Sequence, residues 1–100
     1  MGTSKFESRA IELGEIVMKK TTPQAARAYL GWVAWLGTSY YNPNQRVLET
    51  ALDSAVLDME NAALPIAETI KNYEFFGHVA SMYGLDSKAG QYRDKLSTLR

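Results

Sequence analysis

Three prolines (Pro23, Pro43 and Pro65) and a Gly84-Leu85-Asp86 turn cut the 100-residue chain into five segments, each about as long as one helix. Within every segment the apolar residues recur at three- and four-residue spacing, and none shows the strict alternation of a half-buried strand. The chain is therefore expected to be all-α, a compact bundle of four main helices plus a short C-terminal fifth, in a single domain over residues 1–100. Thr22-Pro23 and Asn42-Pro43 each place a capping residue before a proline. Proline suits the first helical turn because the N–H it lacks has no intrahelical partner there. Pro65 should end one helix or kink it into the next. Gly84 offers a left-handed helix end, with Asp86 or Ser87 as the following N-cap.

The spacing predicts a first helix over about residues 4–20, with Phe6, Ala10, Leu13 and Val17 on one stripe. A third, over about 44–63, gathers Val47, Leu48, Ala51, Leu52, Ala55, Val56, Met59 and Ala62 into one broad half. A fourth, over about 65–83, aligns Ile66, Ile70, Tyr73, Gly77 and Ala80, and a fifth, over about 87–98, aligns Ala89, Tyr92, Leu96 and Leu99. The second segment is different. "AYLGWVAWLG", residues 28–37, holds both tryptophans of the chain. On a helical wheel, Tyr29, Leu30, Trp32, Val33, Trp35 and Leu36 sweep roughly 220° of the circumference. A strip of Gln24, Arg27, Gly31, Ala34 and Thr38 remains. So much apolar surface needs cover on most sides, which places this helix at the centre of the bundle. The strip is read as a sliver open to water, ahead of a small-residue seam for another backbone. The apolar run ends near Gly37 or Tyr41, too short to span a membrane.

An apolar share of 46% and a charged share of 22% are ordinary for a folded domain. Eleven basic and eleven acidic residues cancel, so no global field recruits nucleic acid or an anionic membrane. Charge is nevertheless segregated: from Val47 to Ile70 every charged residue is acidic (Glu49, Asp53, Asp58, Glu60, Glu68). This reads first as a solvated helix face and second as a device that orients docking. Without cysteine there are no disulfides, thiolate metal sites or thiol nucleophiles. The start "MGTSKFES" has neither the apolar core of a secretory signal nor the myristoylation pattern, so a cytoplasmic or intravirion location is expected.

No constellation for catalysis emerges. His78 is the single histidine, which leaves zinc without a ligand set. Glu74, four residues earlier, forms with it a surface i, i+4 pair rather than an acid/base dyad. The glycines are scattered, so no phosphate loop forms. The expectation is a chain without metal or cofactor that is not an enzyme. Residues 78–96, "HVASMYGLDSKAGQYRDKL", resemble a helix-turn-helix in the step from Ala80 to Gly84 and Leu85. That resemblance implies DNA contact through Lys88, Gln91, Arg93 and Lys95. Gly90 and Arg93 stand where the family seats branched apolar residues, and Asp86 and Asp94 dilute the basic face. Trp35-Leu36-Gly37, in a cysteine-free chain of this length, is similar to the signature of the WXG100 family, small exported helical hairpins that act as dimers. Pro23 and Pro65 interrupt both long helices of such a hairpin, and Tyr40 and Tyr41 extend the chain beyond its turn.

Phe75, Val79 and Met82 form a second apolar stripe on the fourth helix, and Leu57 and Leu64 interrupt the acidic side of the third. Either the fifth helix covers the stripe or an apolar patch is left for a partner. The favoured expectation is a small, non-enzymatic protein–protein interaction module (an assembly subunit, adaptor or occluding inhibitor). It acts through this face, with a protein partner or a second copy of itself in a homo-oligomer. Phe75, Met82 and Leu57 would be its energetic anchors.

Overall fold

The structure is a computed structural model that describes residues 2–38 and 41–100; Tyr40, expected after the second helix, lies outside the described residues. Five helices follow one another: α1 (Gly2–Lys19), α2 (Pro23–Leu36), α3 (Gln45–Asn61), α4 (Ile66–Met82) and α5 (Asp86–Leu99). No strand forms among the described residues. The fifth helix, expected to be short over about 87–98, has 14 residues, the same length as α2.

The helix ends follow local chemistry. Thr22 caps α2, its Oγ1 accepting from Ala25 N–H at 3.2 Å, and Pro23 occupies the first turn. The start of α3 departs from expectation. Asn44, after Pro43, does the capping: its Oδ1 accepts from Arg46 N–H at 2.9 Å, while Asn42 lies before the helix. Pro65 is the N-cap residue of α4. The α4 terminus is a Schellman motif: Leu85 N–H donates to Ala80 C=O at 2.8 Å and Gly84 N–H to Ser81 C=O at 3.2 Å. Gly84, at φ +77°, supplies the left-handed residue the motif requires. Leu85, rather than Asp86 or Ser87, is the N-cap of α5, which puts the Asp86 carboxylate in the first turn, beside the positive end of the helix dipole.

Ala63, after α3, has φ +51°, the left-handed region in a residue with a Cβ. Its side chain is exposed, so removing it sacrifices no packing. Ala63→Gly is expected to stabilise the chain by about 0.5–1 kcal/mol, the strain released less the added freedom of the unfolded glycine. Urea titration checks this, and an unchanged or lowered midpoint would contradict it.

The sequence reads as one domain, and within it contacts gather into two units, Met1–Ala55 and Val56–Arg100. In the first, α1 packs on α2, and the buried residues are Ala10, Leu13 and Val17 of α1, Ala26, Tyr29, Leu30, Val33 and Leu36 of α2, and Leu48, Ala51, Leu52 and Ala55 of α3. Gly14 sets the closeness of this packing. A Cβ there would lie 3.1 Å from Tyr29 Cε1 and 3.3 Å from Val47 Cγ1. Tyr29 is fully buried, and its hydroxyl reaches that of Tyr41 at 3.3 Å. In the second unit α4 packs on α5, with Tyr73, Phe76, Val79 and Ala80 buried on one helix and Ala89 and Tyr92 on the other. Ile66, expected in the α4 core stripe, is instead 64% exposed at the first turn of the helix.

Candidate functional site

The largest departure from the sequence reading is in α2. Its buried residues occupy one side only, and Trp35 is 65% exposed. Trp32 is half-buried, and Gln24, Arg27, Ala28 and Gly31 all face water. The strip expected to be open is open, but it is wider than the wheel indicated and contains an indole. The expectation that both tryptophans belong to the core is therefore corrected. Tyr29, Leu30, Val33 and Leu36 are buried, and the tryptophans lie to one side of that buried arc, against Phe6 of α1.

Phe6 completes the site. It heads the α1 stripe, but whereas Ala10, Leu13 and Val17 are buried, Phe6 is only half-buried. Its ring stacks on Trp32 at a centroid distance of 5.4 Å and an angle of 26°, and meets Trp35 edge-on at 4.9 Å and 77°. The two indoles meet edge-to-face at 5.9 Å and 89°. These are favourable aromatic geometries, each stabilising by about 0.5–1.5 kcal/mol beyond area burial. Because the three rings pack on one another, they form a solid platform and leave no cage between them for a cation. Beside the platform runs a groove of about 370 Å³, lined by Phe6, Ala28, Gly31, Trp32 and Trp35. None of these side chains titrates, so the groove has no acid, base or nucleophile to offer. What it can do is desolvate an apolar group seated on it.

Gly31 stands in the middle of α2, and among the described residues nothing lies within 4 Å of where its Cβ would be. Packing among the described residues does not require a glycine there, and an exposed glycine inside a helix destabilises it by about 0.8–1.0 kcal/mol relative to alanine. Gly31→Ala is thus expected to stabilise the dilute chain by about 1 kcal/mol, read from the urea midpoint. A destabilised variant would show that something in the folded chain already occupies the notch.

The residues singled out from sequence are placed as follows. Val79 is fully buried, which makes it core rather than surface. Met82 is half-buried. Phe75 at 38%, Leu64 at 37% and Leu57 at 59% stay exposed. The Phe75 ring lies 6.0 Å from that of Phe76. Leu64 lines a groove with Met59, Glu60, Tyr73 and Lys95. There the Tyr73 hydroxyl donates to Glu60 Oε2 at 2.8 Å, and burial, followed by the bond to Glu60 and its charge, raises the Tyr73 pKa to about 12.

On α5 the buried Ala89 and Tyr92 face α4. By the helical period Lys88, Gln91 and Lys95 flank one side of that face and Arg93 the other. In keeping with this, Lys95 lines the Glu60–Tyr73 groove, while Arg93 lines a groove with His78 and Ser81. The four do not share one surface. Glu74, expected beside His78, is held by Arg100. Among the described residues no group of three His, Asp or Glu side chains is placed to hold a metal ion, and no helix is long and apolar enough to cross a membrane. No protein-family model, no curated protein and no solved structure matches the chain.

Sequence reasoning missed the Phe6–Trp32–Trp35 platform. One signal for it was present: the wheel gave α2 more large apolar surface than a helix can bury against one neighbour.

Proposed function

We propose that the chain is a small, non-enzymatic helical interaction module that docks protein through the Phe6–Trp32–Trp35 platform and the adjoining groove. The observation that carries this reading is the 65% exposure of Trp35 on a platform already ordered by two ring contacts. Tryptophan is prominent among the residues that dominate interface energies, since it buries much area while losing little side-chain freedom. A platform held by its own stacking has lost most of that freedom before a partner arrives. The unit 2 residues Leu57, Leu64 and Phe75 are also exposed but lie outside this groove. The face favoured from sequence therefore gives way to α2 as the principal docking surface.

A photoreactive phenylalanine analogue at Gln24, which is exposed and shares the open arc of α2, tests the reading in the cells that express the chain. Illumination is expected to give covalent adducts with protein, and Trp35→Glu should abolish them. If no adduct forms, or adducts persist in Trp35→Glu, the groove is not a protein-docking site.

A further inference from the structure

Resting on that reading, we infer that the occupant of the groove is a second copy of this chain, with the two α2 helices antiparallel about a two-fold axis that passes between Gly31 and Trp32. The order of side-chain sizes along α2 sets this pairing. Ala28, Gly31, Trp32 and Trp35 fall at i, i+3, i+4 and i+7, so they form one stripe of α2, and all four line the groove. Along the stripe the order is small, small, large, large. Reversed, it becomes its own complement. Antiparallel packing brings Trp35 of each copy over Ala28 of the other, beside the notch left by Gly31, so that each exposed indole fills the opposite hollow. A two-fold contact of this kind requires one patch to be complementary to itself, which a stripe of uniform residue size would not be.

Two further observations agree. Gly31 costs the isolated helix stability, and no packing among the described residues requires it, since none of them lies within 4 Å of its Cβ position. Close approach of a second backbone gives the glycine a purpose. Arg27 is the only charged residue of α2. In the antiparallel arrangement its two copies stand nine residues apart along the axis, or roughly 13 Å, which exceeds the screening length of about 8 Å at physiological salt. A parallel pair would set the two guanidinium groups side by side.

Sedimentation velocity on the purified full chain, from about 1 to 300 μM, is the test, with far-UV circular dichroism confirming that each variant is folded. The wild type is expected to pass from monomer to dimer within this range. Trp35→Ala should weaken association about 30-fold or more, the scale of a tryptophan hot spot. Ala28→Trp, which fills the hollow at an exposed position, should do the same. The double variant Ala28→Trp/Trp35→Ala exchanges the two end residues of the stripe, places each new indole opposite a new alanine, and should restore the dimer. No heterologous partner predicts that rescue. A chain that stays monomeric to 300 μM overturns the inference, as does a dimer indifferent to Ala28→Trp or a double variant that remains dissociated. Protein adducts at Gln24 from a chain that is monomeric when purified would overturn the self-pairing alone and leave the docking reading standing.

Discussion

Phe76→Ala is expected to lower the free energy of unfolding by about 3–5 kcal/mol, the range for deleting a buried aromatic ring and leaving a cavity. Phe76 is fully buried on α4, its ring centroid 6.2 Å from that of Tyr92 on α5 and 6.0 Å from that of Phe75. In that position it fills the contact between the two helices of the second unit. Small domains have only about 5–15 kcal/mol of stability in total, so the loss is a large part of the whole. The neighbouring ring is an internal control. Phe75 is 38% exposed, so Phe75→Ala should cost about 1 kcal/mol. Urea denaturation followed by far-UV circular dichroism measures both, and equal losses for the two would show that α4 is not oriented as described.

Above pH 10 the chain is expected to lose stability through Tyr73. Burial, then the hydrogen bond to Glu60 and the Glu60 charge, raises its pKa from 10.0 to about 12, and its residue is only 3% exposed. The unfolded phenol ionises near 10 and the folded one resists until about 12. The stabilisation is therefore fully present below pH 10 and is lost as the pH rises toward and through 12. Two pKa units correspond to about 2.7 kcal/mol, of which about 2 kcal/mol should be gone at pH 12. The measurement is the difference between wild type and Tyr73→Phe, in which any pH dependence common to both chains cancels. That difference should shrink by about 2 kcal/mol between pH 8 and pH 12. Because burial is the largest cause, Glu60→Gln should retain much of the effect. A difference independent of pH would remove Tyr73 from this role.

Much of the fold was legible because it is decided locally. Thr22-Pro23 starts a helix by supplying a side-chain acceptor where backbone donors are unpaired, and Gly84 ends one by accepting a left-handed backbone. Both read directly from the residues. The misplacements at Asn44 and Leu85 are shifts of one or two residues: at α3 two asparagines compete for the cap, and at α5 the cap falls on Leu85 with no side-chain hydrogen bond. The site was less legible for a different reason. A helical wheel gives the direction of each side chain but not how much neighbouring structure exists in that direction. Trp35 and Tyr29 are equally apolar on the wheel. What separates them is how much of the chain surrounds each: Tyr29 is fully buried and Trp35 is 65% exposed. Phe6 was hidden likewise, since it belongs to a stripe whose other members are buried, and its position near the start of α1, beyond Ala10, places it at the edge of the shared core.

The two tryptophans of this chain lie 5.9 Å apart on one exposed platform, which makes the site its own optical reporter. Indole emission comes from this surface and from nowhere else in the protein. Anything that settles on the groove strips water from the excited rings and shifts the spectrum toward the blue, without a label and without disturbing the core. Occupancy of the surface and its concentration dependence can be followed in the unmodified molecule, and the pairing of small against large residues along α2 can be tested by the colour of the light it emits.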